Sequence, residues 1–249
     1  MASSSRDRVR QMQQQQRAAA SRRRGVAVAL VVVVVLAVVV GVGIAVQMSR
    51  SEVSGGAVSG DAVPSGVVDR YAVPRGDRSA LVTLTLYEDF QCPVCRQVEA
   101  IIGPTVDRYV ESGTVRVEYR PIAFLDAAST TEYSSRALNA AACVLDERGT
   151  DGFVRMHDLL FADQPPEGTD GLSDAQLTAL AARAGAERGT VAGCIDDERF
   201  ASWVDAATEQ ASKDGVNATP TILVDGKQLR LGGQESPATT LREAVRAAS

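Results

Sequence analysis

From residue 79 onward, hydrophobic and polar positions follow two different periods, and the changes between them mark the predicted elements. Residues 79–90, SALVTLTLYEDF, carry β-branched and apolar side chains on both faces of an extended segment, which predicts a largely buried strand. The next apolar positions recur at helical spacing, at Val94, Val98, Ile101 and Ile102. We expect Pro104 to interrupt and kink this helix, and Gly113 to end it.

A second strand is predicted over residues 114–124, TVRVEYRPIAF. Strand, helix and strand at this spacing form a βαβ unit, which implies two parallel strands joined by a right-handed crossover. Helical patterns follow, over residues 131–147, 153–161, 173–185 and 197–214. Ser129 with Glu132, and Ser173 with Gln176, have the spacing of capping boxes, while Gly149 and Gly185 are expected stops.

The strand period returns in TPTILVDGKQLRLGG, residues 219–233, where Asp225-Gly226 is a strong hairpin signal. A last amphipathic helix is predicted over residues 237–247. The predicted fold class is therefore α/β, with a helical insert at about residues 127–214 inside a domain that covers residues 67–249.

A different pattern occupies residues 25–46, GVAVALVVVVVLAVVVGVGIAV, which contain no charged side chain. As a helix this segment would be roughly 33 Å long, about the thickness of a bilayer core. It is longer than the apolar region of a secretory signal, so we favour an uncleaved transmembrane anchor over a cleaved signal peptide. Seven arginines precede it, and Arg50 alone follows closely, which places the amino terminus in the cytoplasm.

Charge and composition divide the chain at this anchor. Residues 1–50 hold eight Arg and one Asp, whereas residues 51–249 hold 18 Lys and Arg against 30 Asp and Glu. We expect residues 1–24 to be a basic cytoplasmic tail and residues 47–66, rich in Ser and Gly, to be a flexible linker. The acidic remainder, placed outside the cytoplasm at the cell membrane, lacks the basic face that a nucleic-acid partner requires.

Two cysteines in EDFQCPVCR, residues 88–96, carry the candidate chemistry. A strand that leads into a helix here would place Cys92 at the N-cap and Pro93 at the first helical position, where proline is favoured. The helix dipole and free backbone N–H groups would then stabilise a thiolate and lower the pKa of Cys92. Cys95 lies nearly one turn further on, in a more sheltered position. We interpret Cys92 as a nucleophile and Cys95 as the resolving thiol.

Other interpretations of this pair are weaker. A structural bridge across so short a loop would stabilise the fold very little. A zinc site usually needs a second close pair of ligands, and only the scattered Cys143, Cys194 and His157 are available. Chance occurrence is disfavoured by the strand–loop–helix context. We therefore expect the protein to use neither a metal nor a cofactor.

In combination, EDFQCPVCR at the end of a strand and NATPTILVDG before a hairpin resemble the DsbA-like branch of the thioredoxin superfamily, over residues 67–249. The resemblance implies a thioredoxin fold with a helical insert and thiol–disulfide exchange on secreted polypeptides. It also implies a cis Thr219-Pro220 bond that faces the cysteines, with the Thr219 backbone pairing with a substrate strand. A membrane reoxidase of the DsbB or VKOR type, or a membrane reductant, is the implied redox partner.

The sequence departs from this family at two positions. Many relatives have a buried acidic residue six positions before the first cysteine, where this chain has Leu86, and Glu88 and Asp89 are expected to be solvated or to substitute in part. Strongly oxidising relatives tend to have His at the position of Val94, and we expect Pro93 and Val94 to tune the redox potential. Oxidation of substrate dithiols is the favoured direction, with reduction or isomerisation, and a non-catalytic binding or chaperone module, as alternatives.

The remaining cysteines, Cys143 and Cys194, are expected to form a structural disulfide in an oxidising compartment, with two buried free thiols as the alternative. His157 is expected to be a non-catalytic residue at the surface or in the helical insert. Trp203 is expected to pack in the core or the insert.

Overall fold

The structure is a computed structural model that describes residues 62–231 and 233–249. The predictions for the basic tail at residues 1–24, the anchor at residues 25–46 and most of the linker lie outside the described residues. Among the described residues, no helix has the length and apolar character needed to cross a bilayer. Residues 62–66, the end of the expected linker, contact the domain: Pro64 is buried, and the Ser65 N–H donates to Asp146 Oδ1 over 2.9 Å.

A five-stranded mixed sheet, in the order β1-β3-β2-β4-β5, organises the domain. Its central strand, β2, pairs in parallel with β3 and antiparallel with β4, and β1 and β5 add antiparallel edges. The predicted buried strand and the βαβ unit are therefore confirmed. The strand bounds are β1 Val73–Arg75, β2 Val82–Glu88, β3 Val115–Pro121, β4 Thr221–Val224 and β5 Lys227–Gln228.

Helices cover this sheet and form the insert. Helix α1 follows β2, and α6 closes the described chain and packs against α1. A 3₁₀ helix and helices α2 to α5 lie between β3 and β4, so the structure has a mixed α/β thioredoxin-like fold with a helical insertion. The helix bounds are α1 Pro93–Glu111, 3₁₀ Phe124–Ala128, α2 Tyr133–Ala162, α3 Asp174–Arg183, α4 Arg188–Asp196, α5 Ala201–Lys213 and α6 Pro237–Ala248.

Local signals placed several boundaries correctly. The Ser173 hydroxyl and the Gln176 side chain form the predicted capping box of α3, and Gly185 follows that helix with a φ of +104°. Asp225 and Gly226 both have positive φ between β4 and β5, as a two-residue hairpin turn requires. Trp203 is buried, as expected, and its Nε1–H donates to the Arg70 carbonyl over 2.7 Å.

Other predicted boundaries were partly right. Gly113, with a φ of +70°, follows the end of α1 as predicted, but the helix continues through Pro104 to Glu111. Gly149 separates the two predicted helices, because its non-helical φ of +67° and ψ of −167° produce a kink inside α2. The Ser129–Glu132 capping box does not form, because Glu132 is itself the N-cap, in left-handed conformation, while the Ser129 hydroxyl accepts from the Tyr133 N–H.

Three elements were not predicted: strand β1, the 3₁₀ helix and helix α4. Strand β1 has three residues, too few for a recognisable alternation. Helix α4, Arg188–Asp196, lies between the predicted helices over residues 173–185 and 197–214, and the second of these corresponds to α5. The side chain of Glu187 caps α4 by accepting from the N–H groups of Gly189 and Thr190.

The helical insert contains a disulfide between Cys143 of α2 and Cys194 of α4, with an S–S distance of 2.03 Å. This is the pairing that the sequence favours. Cys143 lies among large buried side chains of α2, so the bond joins α4 to the core. These fully buried neighbours include Leu138, Leu145, Phe153 and Met156.

We predict that the Cys143→Ala, Cys194→Ala double variant loses stability, because the bond closes a loop with a sequence separation of 51 residues. The chain-entropy model gives about 4 kcal/mol for a loop of this length. Urea unfolding of the full chain in detergent, followed by circular dichroism, measures the loss. Reducing the Cys92–Cys95 pair alone is the control and should change stability far less, and a loss below about 1 kcal/mol in the double variant would contradict the prediction.

Candidate active site

Cys92 lies at the end of the short loop between β2 and α1. It is the N-cap of α1, with extended backbone angles, and Pro93 is the first residue of the helix. The Cys95 N–H donates to Cys92 Sγ over 3.3 Å, so the sulfur caps the helix as an Asp or Ser side chain would. The short loop and the proline produce this geometry locally.

The surroundings of Cys92 favour its thiolate. A hydrogen bond from the Cys95 thiol lowers the pKa of Cys92 most, and contacts with Thr219 and with the backbone N–H groups of Cys95 and Val94 lower it further. Partial burial opposes them, and the resulting pKa is about 6, against an ordinary value near 9. At neutral pH this thiol is therefore mostly ionised.

The surroundings of Cys95, in contrast, disfavour its thiolate. Its side chain is completely buried, and burial raises its pKa far above the ordinary range, with further increases from the hydrogen bond to Cys92 and the charge of Glu88. Both thiols are free in the structure. Cys92, an acidic thiol that is 5% exposed at the start of a helix, and Cys95, a completely buried thiol of raised pKa, form the asymmetric pair that dithiol–disulfide exchange requires.

A second segment of the chain meets this pair. The Thr219-Pro220 peptide bond is cis, and the Cys92 thiol donates to the Thr219 carbonyl over 3.5 Å. This loop reaches Cys92 because β4, which begins at Thr221, pairs with β2 at Tyr87. Val94 remains 51% exposed beside the thiol. The structure thus brings together Cys92, Cys95, Thr219, Pro220, Pro93 and Val94.

The loop before Cys92 is held by Asp89, a residue that was expected to be solvated. Asp89 is fully buried, and its carboxylate accepts from the Gln91 N–H at 2.8 Å, the Leu125 N–H at 2.9 Å and the Ser134 hydroxyl at 2.6 Å. Burial raises the pKa of Asp89 to about 6 although these hydrogen bonds oppose the shift. Gln164 also holds this loop, since its Nε2 donates to the carbonyls of Phe90 and Cys92, both over 3.0 Å.

The structure decides between the alternatives for Glu88 and His157, and it places His157 in the helical insert, on α2. Neither is a surface group: Glu88 is 3% exposed and His157 is 2% exposed, and Glu88 Oε2 lies 3.1 Å from His157 Nε2. Burial alone would lower the pKa of His157, but Asp158, Glu88 and Glu99 outweigh it and raise the pKa to about 10. Burial, together with the neighbouring Glu88, raises the pKa of Glu99 well above its usual range.

The alternation of side chains along β2 predicts which face of the sheet Glu88 occupies. Side chains two residues apart in a strand point to the same face. Glu88 therefore shares a face with Leu86, the position at which many relatives carry a buried acid. No local pattern indicated Glu99, and none indicated His157, whose hydrogen-bonded carboxylate partner outside its own helix, Glu88, is 69 residues away.

Comparison with known proteins identifies the family. The sequence profile described as Thioredoxin matches residues 69–245. DsbA from Mycobacterium tuberculosis, in its reduced form, is 31% identical, covers 72% of this chain and 99% of its own, and superposes with a TM-score of 0.58. This chain is a DsbA-like member of the thioredoxin superfamily. Oxidised BdbD from Bacillus subtilis, 25% identical over 76% of this DsbA-like chain and 98% of its own, gives a TM-score of 0.64.

Curated relatives of this DsbA-like chain include proteins of different overall size. Disulfide bond formation protein D of Bacillus subtilis is 26% identical over 157 residues, which cover 62% of this chain and 68% of that protein. Na(+)/H(+) antiporter NhaA 3 of Salinispora tropica is 32% identical over 154 residues, and the match covers 62% of this chain but only 22% of the antiporter. The DsbA-like chain therefore spans about a fifth of the antiporter's length.

We predict that alkylation of reduced Cys92 by iodoacetamide is half-maximal near pH 6, because only the thiolate reacts and its folded pKa is about 6. The rate should rise with pH through this value and level off above it. Mass spectrometry of acid-quenched samples measures the modified fraction.

The chain unfolded in urea is the control for this titration, and its thiols should react half-maximally near the free value of about 8.5. In Cys95→Ala the midpoint for Cys92 should move upward, because the largest stabilising hydrogen bond is absent. A folded midpoint at or above the unfolded one would contradict the assignment.

Proposed function

We propose that this protein oxidises dithiols in polypeptides outside the cytoplasm, with Cys92 as nucleophile and leaving group and Cys95 as resolving thiol. Thiol–disulfide exchange is the chemistry of its family. One observation supports the roles above all: Cys92 Sγ caps a helix with a pKa of about 6, while Cys95, three residues further on, is buried with a strongly raised pKa.

The reaction starts from the Cys92–Cys95 disulfide. A substrate thiolate attacks Cys92 Sγ, a substrate–Cys92 disulfide forms, and the bond to Cys95 breaks, so that Cys95 takes the electron pair and then a proton. A second substrate thiolate attacks the substrate sulfur of the mixed disulfide, and Cys92 leaves as a thiolate. The substrate is oxidised by two electrons, and the enzyme is left as a dithiol.

The pKa difference favours this direction. A stabilised Cys92 thiolate lowers the free energy of the reduced enzyme, which makes the disulfide form the stronger oxidant. A low leaving-group pKa also speeds release of the substrate. The Cys95 thiolate is unfavourable in its buried site, so the thiol form of Cys95 accompanies the Cys92 thiolate in the reduced state.

The substrate site is proposed to include Thr219 and Pro220. The Thr219 carbonyl lies 3.5 Å from Cys92 Sγ, where an extended substrate chain that carries the attacking sulfur would pass. Pro93 and Val94 border the sulfur, and the 51% exposure of Val94 leaves an apolar contact for that chain.

The location is proposed from the sequence. The uncharged residues 25–46 are long enough to span a bilayer, and the seven preceding arginines favour a cytoplasmic amino terminus. The domain of residues 67–249 would then act outside the cytoplasm, joined by residues 47–66. A membrane reoxidase of the DsbB or VKOR type would regenerate the disulfide. The buried Cys143–Cys194 bond is consistent with an oxidising compartment.

We predict that Cys95→Ala accumulates mixed disulfides between Cys92 and extracytoplasmic polypeptides in cells, because no resolving thiol remains to release them. Thiols are blocked with N-ethylmaleimide before lysis, and non-reducing gels followed by mass spectrometry identify the attachment site. The Cys92→Ala, Cys95→Ala double variant is the matched control and should form none. If adducts through residue 92 are absent from the single variant, the enzymatic proposal fails.

We predict that the redox potential of the Cys92–Cys95 pair is less negative than that of thioredoxin, about −270 mV, because a Cys92 pKa of about 6 stabilises the reduced form. Equilibration of the chain with glutathione buffers, with acid quenching and alkylation, measures the potential. A potential at or below −270 mV would instead support the reductase or isomerase alternative. A pair that never exchanges with glutathione would support a non-catalytic binding module.

A further inference from the structure

Three side chains from separate elements turn toward one point behind the cysteine pair. Glu88 ends β2, Glu99 lies on α1 and His157 lies on α2, and one ligand atom from each falls within 4.8 Å of the other two. We propose that Glu88, Glu99 and His157 form a binding site for one divalent transition-metal ion, with Zn²⁺ as the preferred ion. This site contains no sulfur and shares only His157 with the cysteine-based zinc site considered for the sequence.

The histidine is oriented as a metal ligand. Its Nδ1 lies 3.2 Å from Asp158 Oδ1, so Asp158 accepts the ring proton there and leaves Nε2 to face the two glutamates. A carboxylate behind a ligating imidazole is the usual outer-shell partner of a zinc histidine, since it fixes both tautomer and ring orientation. The rings of Phe90, Tyr119 and Phe161 surround the imidazole at centroid distances of 5.8, 5.0 and 4.9 Å.

An unsatisfied acceptor supports the same conclusion. Glu99 Oε1 is buried and has no hydrogen-bond donor within the described part of the chain. Such an orphaned carboxylate oxygen is costly unless a cation or a proton compensates it. A divalent ion would displace the protons of His157 and Glu99. The two carboxylates and the neutral imidazole would then carry a charge of −2, which the ion neutralises.

The distances suit a small ion after a modest adjustment. Zinc lies about 2.0–2.2 Å from nitrogen and oxygen ligands, so tetrahedral ligand atoms are about 3.4 Å apart. Glu88 Oε2 and His157 Nε2 are already 3.1 Å apart. Glu99 has room to move, because its Oε2 faces Gly103, where an added Cβ would lie 3.8 Å away.

The site also has an entry path. Glu99, Gly103, His157 and Asp158 line a cavity of about 380 Å³, which gives an ion access and leaves a position for water as fourth ligand. Two arginines border this cavity. Arg75 is engaged by Asp107 at 2.8 Å and by the Tyr119 hydroxyl at 3.3 Å, and Arg96 lies on the rim.

One imidazole nitrogen and two carboxylate oxygens bind some metal ions more tightly than others. An imidazole nitrogen suits Zn²⁺ and its transition-metal neighbours, whereas Ca²⁺ and Mg²⁺ prefer sites made of oxygen ligands. The alternative occupant is a proton, shared between the two carboxylates and held near His157. That arrangement would satisfy the same oxygen without a metal, and binding experiments separate the two.

The test uses the full chain, without an affinity tag, purified metal-free in a mild detergent and oxidised so that no thiol remains. The chain has four cysteines and a single histidine, so oxidation of both pairs removes every sulfur ligand of this type. Zinc is titrated in competition with a chromogenic chelator. We expect one Zn²⁺ per chain, and Ca²⁺ or Mg²⁺ at the same concentration should not displace it.

Variants assign the ligands. Glu99→Gln should weaken zinc binding at least about ten-fold, and Asp158→Asn, which alters only the outer-shell partner, should weaken it about 10- to 100-fold. Asp107→Asn, a matched charge loss on the same cavity, should leave affinity unchanged. Circular dichroism verifies that each variant is folded.

Cobalt substitution gives a readout that folding alone does not produce. Co²⁺ in the oxidised chain should show visible ligand-field bands of low coordination number without a thiolate charge-transfer band. Absence of stoichiometric zinc binding by the oxidised wild-type chain would overturn the proposal and favour the shared proton. Binding that is equally strong in Glu99→Gln and Asp158→Asn would also overturn it, by locating the ion elsewhere.

Discussion

The chemistry of this protein depends on how negative charge is stabilised on one sulfur. Cys92 Sγ occupies the N-cap of α1, where the Cys95 N–H, the Cys95 thiol and the Thr219 side chain all interact with it. Each of these groups favours the thiolate, and together they outweigh the cost of partial burial. Because the same contacts are lost or weakened when the sulfur forms a disulfide, they stabilise the reduced form and make the oxidised form reactive.

The helical insert holds this arrangement in place. Ser134 lies in the first turn of α2 and Gln164 lies two residues after its end, and they bind the loop before Cys92 through Asp89 and through two backbone carbonyls. The loop that leads into Cys92 is thus fixed by hydrogen bonds from the helical insert. The Cys143–Cys194 bond secures α4 to the same helix α2, so the insert supports the active site without contributing a reacting group.

A second feature is the concentration of charge behind the sheltered thiol. Aromatic rings surround the His157 imidazole, and Glu88 contributes to the raised pKa of Cys95. Glu88 lies two residues after Leu86, the position of a buried acid in many relatives, and on the same strand face. Buried charge of this kind is retained only when it is compensated, and the cluster is completed by residues from three elements.

The sequence by itself determined the features that depend on neighbours within a few residues. The N-cap position of Cys92, the hairpin at Asp225-Gly226 and the capping box at Ser173 follow from local hydrogen bonding and backbone preference. The alternation of β2 predicted the buried strand, and EDFQCPVCR with NATPTILVDG carried the resemblance that implied the fold. Strand β1 was missed because its three residues are too few to show a period.

Only the tertiary structure decided which distant groups meet. Thr219 reaches Cys92 across 127 residues, Glu88 meets His157 across 69, and Ser134 meets Asp89 across 45. Burial of these polar groups depends on how the insert packs over the end of the sheet, and no local pattern encodes that packing. A charged residue read alone is expected to face water, whereas Asp89 and His157 are buried because partners from other elements satisfy them.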